Sequence, residues 1–198
     1  MSPERKAQKR AAILAAARQV FSHHGLIGVT MADIVAASGI SRGGLYLYFS
    51  SVDEIFIAVL NERTTHRFAG VRDAAARNVP FKVLLNTYLA GHKNRLLHQM
   101  NDSMLRAMYE YYFTHKSAAD HAFQASQFAT TKATIRSILA LGVTQGTLRP
   151  DQLDAHAERI MFTIEGMSVM ALTGGLSAAQ IDAQWQQLKA ALPYTDRT

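Results

Sequence analysis

The chain has 198 residues, of which 48% are hydrophobic, and a formal net charge of +6. That length can bury a full core in one large or two small domains, and the absence of cysteine excludes disulfides, thiolate zinc sites and cysteine nucleophiles. The charge is uneven, because residues 1–50 carry a net +4 and residues 51–198 only +2. Positive charge concentrated at one end suits a phosphate-binding module, although a basic N-terminus alone is common among soluble proteins.

A basic run at residues 5–10 precedes an alanine-rich run at residues 11–17, an order that superficially resembles a signal peptide. The apolar run is short and passes into Arg18 and Gln19 within a continuing helical pattern, so we expect no signal peptide. No stretch approaches the roughly 18 apolar residues of a transmembrane helix. We therefore expect a cytoplasmic protein with no membrane partner.

The first predicted helix covers residues 6 to about 24 and stops at Gly25. Its apolar residues recur at helical spacing and form one buried stripe: Ile13, Leu14, Ala17, Val20 and Phe21. Basic residues near its start are available to flanking phosphates, or form an ordinary solvated face: Lys6, Lys9 and Arg10.

Residues 30–47 predict two short helices joined by a tight turn. Thr30 can cap a helix over residues 31–38, Gly39 supplies a left-handed turn, and Ser41 can cap a second helix to about residue 47. Apolar residues are placed to form a seam between the two helices: Ile34, Val35, Ile40 and Leu45. This arrangement is a helix-turn-helix, whose second helix has one face free to enter a DNA major groove.

The free face of the second helix carries Arg42, Gly43, Gly44, Tyr46 and Tyr48. Each glycine costs a helix about 1 kcal/mol relative to alanine, so the adjacent pair indicates close backbone approach to a partner or, alternatively, a frayed helix start. The tyrosines can reach phosphates or thymine methyl groups, and the arginine can reach guanine edges or phosphate. The surroundings favour DNA as the partner.

The whole pattern resembles the N-terminal domain of the TetR family of bacterial transcriptional regulators. It covers the first quarter to third of the chain through these residues: Gly25, Thr30, Ile34, Ser38, Gly39, Ile40, Ser41, Gly43, Leu45, Tyr46, Tyr48, Phe49 and Ser51. The resemblance implies an all-helical homodimer that represses transcription from a palindromic operator and releases it when a small ligand enters the C-terminal domain. The family's DNA-contact roles then fall on Thr30, Arg42, Gly43, Gly44, Tyr46 and Tyr48, and we add the capping residue Ser41 to the expected contacts.

The sequence departs from the family pattern at three positions. Val52 stands where the family usually has a lysine that touches a phosphate, and Val35 and Ser38 each replace a common alanine. Losing the lysine should weaken the phosphate contact, although the backbone N–H groups after Ser51 remain available.

Ser51 and Glu54 predict a capping box that opens a long helix to about residue 76, the natural lever for a conformational signal. Residues 77–80 break it. Five more helices and no strands follow: residues 81–98, residues 102–113, residues 118 to about 141, a helix capped by Asp151 after a loop at 142–150 and running to about 173, and a last helix opened by a Ser177–Gln180 capping box. The prediction is an all-α fold of nine helices, with a three-helix DNA-binding domain at residues 1–50 and a helical ligand-binding and dimerisation domain at residues 51–198.

Methionine and aromatic residues crowd residues 104–113, a composition typical of an adaptable apolar pocket and equally of an ordinary core. Because the resembled family places its ligand among the central helices, we take these residues as candidates, together with nearby polar and apolar ones: His92, Arg95, Met104, Met108, Tyr109, Tyr112, Phe113, Met161 and Glu165. The expected effector is a small hydrophobic or aromatic molecule.

The helices at residues 151–173 and 178–191 are expected to form a four-helix bundle across a two-fold axis. The first has apolar residues on more than one face, and Gly166, Ser168 and Ala171 allow close helix approach. Burial within one subunit is the alternative.

Catalysis finds little support, since the chain has no glycine-rich phosphate loop, H-E-x-x-H or G-x-S-x-G motif. None of the eight histidines pairs with another at the four-residue spacing of a helical metal site. We expect no catalytic residues, cofactor or metal. Two rivals remain: a ligand-independent DNA-binding structural protein on the same fold, and a small helical enzyme or interaction module whose basic N-terminus binds something besides DNA.

Overall fold

The computed structural model describes residues 2–100 and 103–195, and the regular structure in these two ranges is helical. The extended residues Leu148 and Tyr194 form an isolated bridge. The all-α prediction is confirmed, and nine helices lie within the described ranges: α1 (Pro3–His24), α2 (Met31–Ser38), α3 (Arg42–Tyr46), α4 (Val52–Ala76), α5 (Phe81–His98), α6 (Leu105–Thr114), α7 (Ala118–Thr144), α8 (Leu153–Thr173) and α9 (Ala178–Ala190). Among the residues described, no helix combines the length and the apolar character needed to cross a bilayer.

The chain forms two compact units, each of which combines distant parts of the sequence. Unit 1 runs to Arg63 and also contains α6 and the start of α7 as far as His121. Unit 2 contains the rest of α4 from Thr64, α5, and the chain from Ala122 onwards. The predicted boundary at residue 50 separates a DNA-binding function from ligand binding and dimerisation, and it stays a prediction.

The core of unit 1 forms around α1. The apolar stripe predicted for this helix is buried, and further buried side chains pack in the same unit: Ile34, Leu45, Phe49, Ile55, Phe56 and Tyr111. The Phe56 ring meets Phe21 edge-on, with centroids 5.3 Å apart, and stacks on Tyr111 at 5.2 Å. Burying each such side chain stabilises the fold by about 1.5–3 kcal/mol. Helix α1 begins earlier than predicted, at Pro3, because the Ser2 hydroxyl accepts a hydrogen bond from the Arg5 N–H.

The core of unit 2 lies among α5, α8 and α9. Its buried side chains come from all three helices: Leu84, Leu85, Leu89, Ile160, Ile164, Met167, Ile181, Trp185 and Leu188. An ion pair between Lys93 on α5 and Asp182 on α9, with Nζ 2.6 and 2.7 Å from the two carboxylate oxygens, links these helices at the edge of the core.

Two predicted helix boundaries need correction, and a third lies outside the described residues. Gly142 does not begin a loop, because α7 continues to Thr144 and buries this glycine. An added Cβ would lie 2.9 Å from the Leu148 side chain and 3.0 Å from that of Phe81, so a larger residue would force these side chains to move. Asp151 does not cap α8, whose N-cap position is Gln152 at φ 51° without a side-chain cap; Asp151 instead lies 3.5 Å from Arg149. The described part of α6 begins at Leu105, and the predicted start at Asp102 lies outside the described residues.

The predicted capping box of α4 is only half formed. The Ser51 hydroxyl accepts the Glu54 N–H at 3.1 Å, as predicted. The Glu54 carboxylate, however, bonds the N–H and hydroxyl of Ser50, one residue earlier, at 2.7 and 2.9 Å. The Ser177–Gln180 box of α9 is complete, and so is a box at Thr30–Asp33 that the sequence analysis did not identify.

Candidate DNA-binding site

Helix α2, the turn at Gly39 and helix α3 form the predicted helix-turn-helix. Gly39 has a φ of 66°, the left-handed conformation that the turn requires. Ile34 and Leu45 are fully buried between the helices, whereas Val35 and Ile40 are half-buried at the edge of the seam. The motif therefore has its own small core, which leaves the opposite face of α3 exposed.

Thr30 is held at the start of α2 by reciprocal hydrogen bonds with Asp33. The Asp33 carboxylate accepts the Thr30 N–H at 2.8 Å and the Thr30 hydroxyl at 2.7 Å, and the hydroxyl accepts the Asp33 N–H at 3.3 Å. The hydrogen bonds from Thr30 hold the pKa of Asp33 below its ordinary value. The first turn of α2 is thus stabilised by a charge-assisted cap, and any DNA contact of Thr30 must share its hydroxyl.

The two glycines of α3 have different surroundings. A Cβ on Gly44 would come within 3.0 Å of Ile40 and of the Ser41 hydroxyl, which caps α3 by accepting the Gly44 N–H at 3.2 Å. A Cβ on Gly43 would meet no atom of the described residues within 4 Å. Packing inside the motif explains Gly44, whereas Gly43 faces open space, where backbone approach to a partner is possible.

Arg42 and Tyr46 lie together on the exposed face of α3. The Arg42 guanidinium carbon is 5.9 Å from the centre of the Tyr46 ring, and Tyr46 is 45% exposed. Leu47, which the sequence analysis did not single out, is 79% exposed beside them. Tyr48 differs, because it is half-buried and its buried hydroxyl has no hydrogen-bond partner among residues 2–100 and 103–195.

Arg10 packs against the end of the motif. Its guanidinium lies 5.2 Å from the centre of the buried Phe49 ring, which ties α1 to the segment after α3. Hydrogen bonds from Ser50 lower the pKa of Glu54, and the positive charge of Arg10 contributes to the same shift. Of the basic residues at the start of α1, Arg10 therefore has a structural contact.

The start of α4 is negatively charged, which limits its use as a phosphate site. Val52 is half-buried, and Asp53 and Glu54 both occupy the first turn. The Ser51 hydroxyl already takes the Glu54 N–H, and the Glu54 carboxylate already takes the Ser50 N–H. Exposed α3 side chains are consequently the better candidates for anion contacts.

Glu110 on α6 contacts the loop that precedes the helix-turn-helix. Its carboxylate accepts the Leu26 N–H at 2.5 Å and the Ile27 N–H at 2.9 Å, and it pairs with Arg106 Nε at 2.7 Å. The sequence alone does not indicate this role for Glu110, because the contact spans 84 positions and the local pattern shows only an ordinary Arg106–Glu110 helix pair. Nothing local could have identified it.

The predicted ligand residues on α6 belong to unit 1. Met104 and Tyr112 are buried there, Met108 and Tyr109 are half-buried, and Phe113 is 70% exposed. The Tyr109 ring meets Tyr112 edge-on at 6.2 Å and stacks on Phe113 at 6.3 Å. These residues form one aromatic group, part of which is core and part of which is surface.

The other predicted ligand residues belong to unit 2. His92 is buried, with its ring 4.7 Å from that of Tyr88 and its Nδ1 2.5 Å from Arg95 Nη2. Met161 is buried and Glu165 is half-buried on α8. A buried histidine beside an arginine adds an ionisable group to the core of unit 2, whose other buried polar side chains include Thr134 and Ser168.

Comparison with known proteins agrees with this geometry. The family model described as bacterial regulatory proteins, tetR family, matches residues 13–59. An uncharacterized HTH-type transcriptional regulator of Bacillus subtilis (strain 168), YfiR, is 31% identical over 159 residues, which cover 77% of this chain and 76% of the relative. This chain belongs to the TetR family. It is a TetR-family transcriptional regulator.

This TetR-family chain is also similar to the HTH-type transcriptional activator FasR of Mycolicibacterium smegmatis, at 36% identity over 67 residues, which are 34% of this chain and 31% of the relative. The fold is similar to SmeT, the repressor of the Stenotrophomonas maltophilia multidrug efflux pump SmeDEF. That structure superimposes with a TM-score of 0.69 at 19% identity and covers 94% of this chain and 91% of SmeT.

Proposed function

We propose that this TetR-family regulator is a homodimeric repressor that binds a palindromic operator and is released by a small hydrophobic or aromatic ligand. The observation that carries the proposal is the exposed face of α3, where Arg42, Gly43 and Tyr46 stand on a helix-turn-helix with its own buried core. A regulator of transcription acts where the chromosome is, so we propose the cytoplasm as its compartment.

The proposed DNA contacts are Thr30, Ser41, Arg42, Gly43, Gly44, Tyr46 and Tyr48. Arg42 and Tyr46 are exposed and would reach base edges or phosphates, and the open space at Gly43 allows backbone approach. Ser41 and Gly44 would act mainly by shaping the start of α3. Tyr48 would reach a phosphate only by turning its buried hydroxyl outwards. The exposed Leu47 is a further apolar contact for a thymine methyl group.

The proposed dimer interface is formed by exposed faces of α8 and α9. On α8, Phe162 is 63% exposed and Met170 is 53% exposed, with the exposed Gly166 between them. On α9, exposed alanines recur along one face: Ala179, Ala183 and Ala190. Small residues beside exposed apolar ones suit the close packing of a four-helix bundle between two copies. Ser168, by contrast, is buried inside unit 2, so it does not contribute to this face as the sequence suggested.

A two-fold dimer would place two α3 helices in successive major grooves, about 34 to 36 Å apart. Ligand binding near the aromatic group of α6 would then change operator affinity, with a coupling of roughly 1–3 kcal/mol between the two sites. Activation is the second candidate, because the similar protein FasR is named an activator.

The test is selection of genomic fragments by the purified protein at two salt concentrations, followed by sequencing of the retained DNA. A salt-sensitive palindrome is the expected result, since log affinity falls with log salt by a slope of about −0.9 for each phosphate neutralised. Reporter expression from the recovered promoter, with and without the protein, distinguishes repression from activation.

Uniform or absent retention at moderate salt would contradict specific operator binding and favour a structural DNA-binding protein or a module that binds another partner. A thermal-shift screen of hydrophobic and aromatic compounds tests the ligand separately. No stabilisation by any compound would favour ligand-independent binding, with the α6 aromatic group acting only as core.

A further inference from the structure

The Glu110 carboxylate is seated against the loop that joins α1 to α2. We define this α1–α2 loop as residues 25–30. Glu110 accepts two consecutive backbone N–H groups of the loop, from Leu26 and Ile27, and its side chain is only 16% exposed. Arg106, one turn earlier on α6, holds the other carboxylate oxygen at 2.7 Å. A carboxylate that accepts several N–H bonds makes a strong, directional anchor.

The backbone at Gly25 is shaped to admit this carboxylate. A Cβ at Gly25 would lie 2.5 to 2.9 Å from the Glu110 carboxylate atoms, and Gly25 has a φ of 79° and a ψ of −159°. Residues with a side chain rarely adopt these backbone angles, so glycine is needed at this position both for the backbone conformation and for the close approach of Glu110. The loop and the anchor fit each other.

The anchored loop leads directly into the DNA-reading helices. It ends at Thr30, the N-cap of α2, and α2 packs against α3 through the buried Ile34 and Leu45. The position of the loop therefore determines where α2 starts. Through the packing between α2 and α3, it also determines how α3 is oriented towards DNA. A residue that holds the loop acts on DNA binding without contacting DNA.

We propose that Glu110 is a positioning residue for operator binding, whose carboxylate holds the α1–α2 loop in the conformation that fits the operator. This inference rests on the proposed function. Glu110 lies on the same short helix as Met108, Tyr109 and Tyr112, so a ligand that moves α6 also moves the anchor. Release of the loop then lowers the affinity of α3 for its specific site.

Glu110 is charged at neutral pH, as the anchor requires. Partial burial opposes its ionisation, but the N–H groups of Ile27 and Leu26 and the guanidinium of Arg106 outweigh burial and hold the pKa of Glu110 below its ordinary value. The anchor is consequently intact throughout the physiological pH range.

The test compares Glu110→Ala and Glu110→Gln with the unmodified protein for binding to the recovered palindrome and to a random duplex of equal length, over a series of salt concentrations. Asp73→Ala is the matched control, because it removes another helix carboxylate, one that is exposed on α4 in unit 2. Hydrogen exchange of the Leu26 and Ile27 amides reports directly on the loop.

We expect Glu110→Ala to lower operator affinity about tenfold or more, the scale of lost hydrogen bonds to a charged group. The salt slope and random-duplex affinity should not fall, because no phosphate contact is lost, and the two loop amides should exchange faster. Electrostatics alone predicts the opposite effect, since removing a negative charge strengthens binding to DNA. Glu110→Gln keeps an acceptor oxygen and should recover part of the affinity.

Operator affinity equal to that of the unmodified protein in both folded variants would overturn the proposal. Equal losses of affinity for the operator and for the random duplex, together with a lowered melting temperature, would also overturn it, because Glu110 would then have a purely structural role. If the unmodified protein bound no duplex in a salt-dependent way, the proposed function itself would fail and this inference with it. In that case, faster exchange of the Leu26 and Ile27 amides in Glu110→Ala would show only that Glu110 holds the α1–α2 loop.

Discussion

The hydroxyl of Tyr111, near the end of α6, donates a hydrogen bond to the carboxylate of Asp120 in the first turn of α7 across 2.7 Å. Asp120 also accepts the N–H and the hydroxyl of Ser117, at 2.9 and 2.6 Å. The Tyr111 ring is buried and stacks on His115, with centroids 4.1 Å apart. One carboxylate thus holds the turn between two helices of unit 1.

Acid should weaken unit 1 through Asp120. Hydrogen bonds from Ser117 and Tyr111 lower its pKa to about 2. Because this pKa is below that of the unfolded chain, about 3.9, the stabilisation is present above that value and is lost as pH falls towards 2. Urea unfolding at a series of pH values should show a smaller loss between about pH 5 and 2 for Asp120→Asn than for the unmodified protein. Asp73→Asn, which removes an exposed carboxylate, is the control and should follow the unmodified curve.

Alanine at Gly25 should cost more stability than alanine at Gly28. Both glycines have positive φ, 79° and 85°, conformations in which alanine costs of order 1–3 kcal/mol. Only at Gly25 does the new Cβ meet Glu110, which would lose its loop bonds, a further cost of about 1–3 kcal/mol. Chemical denaturation of the two variants measures the difference directly. Equal losses would mean that the Glu110 contact adds nothing to stability.

Thr30→Ala and Ser177→Ala should destabilise the protein similarly but differ in DNA binding. Each removes the N-cap of a complete capping box, at a cost of about 0.5–2 kcal/mol. Thr30 begins the helix-turn-helix, whereas Ser177 begins α9 in unit 2, so only Thr30→Ala should reduce operator affinity. Melting temperature and fluorescence anisotropy with labelled operator provide the comparison. A matching loss of affinity in a Ser177→Ala variant that is still a dimer in analytical ultracentrifugation would show that general destabilisation is responsible.

Tyr46→Ala should abolish operator binding and leave the dimer intact, because this tyrosine is exposed on α3. Arg42→Ala tests the adjacent contact: a base contact should relax specificity at one position, whereas a phosphate contact should weaken all sequences and reduce the salt slope by about 1. Arg77→Ala, an exposed arginine in unit 2, is the charge-matched control. Unchanged affinity in Tyr46→Ala would remove this residue from the contacts.

A charge on the exposed face of α8 should break the dimer. Phe162→Glu places a carboxylate where the proposed four-helix bundle is apolar, so we expect a monomer in analytical ultracentrifugation. Val83→Glu introduces the same charge at an exposed residue of α5 and should leave the assembly unchanged. A dimer that survives Phe162→Glu would show that copies associate through another surface. Loss of the dimer should also weaken binding to a palindrome more than to a half-site.

Local interactions explain what the sequence by itself determined. Periodic apolar residues predicted the buried stripe of α1, Ser177 and Gln180 predicted the start of α9, and Gly39 predicted the left-handed turn. Each feature depends on residues at most a few positions apart, whose geometry follows from the helix period and from capping chemistry. The all-α fold and the TetR family were therefore confirmed, while the individual DNA and ligand contacts stay predictions.

Contacts between distant segments decided the rest. Gly142 lies inside α7 because Leu148 and Phe81 pack against it, although a glycine near a helix end usually indicates a stop. His92 is buried whereas Phe113 is exposed, a difference that the neighbouring residues of each do not indicate. Glu110 reaches Leu26 and Ile27 across more than 80 positions of sequence. Burial and long-range hydrogen bonds depend on which elements pack together, so the tertiary structure alone could establish them.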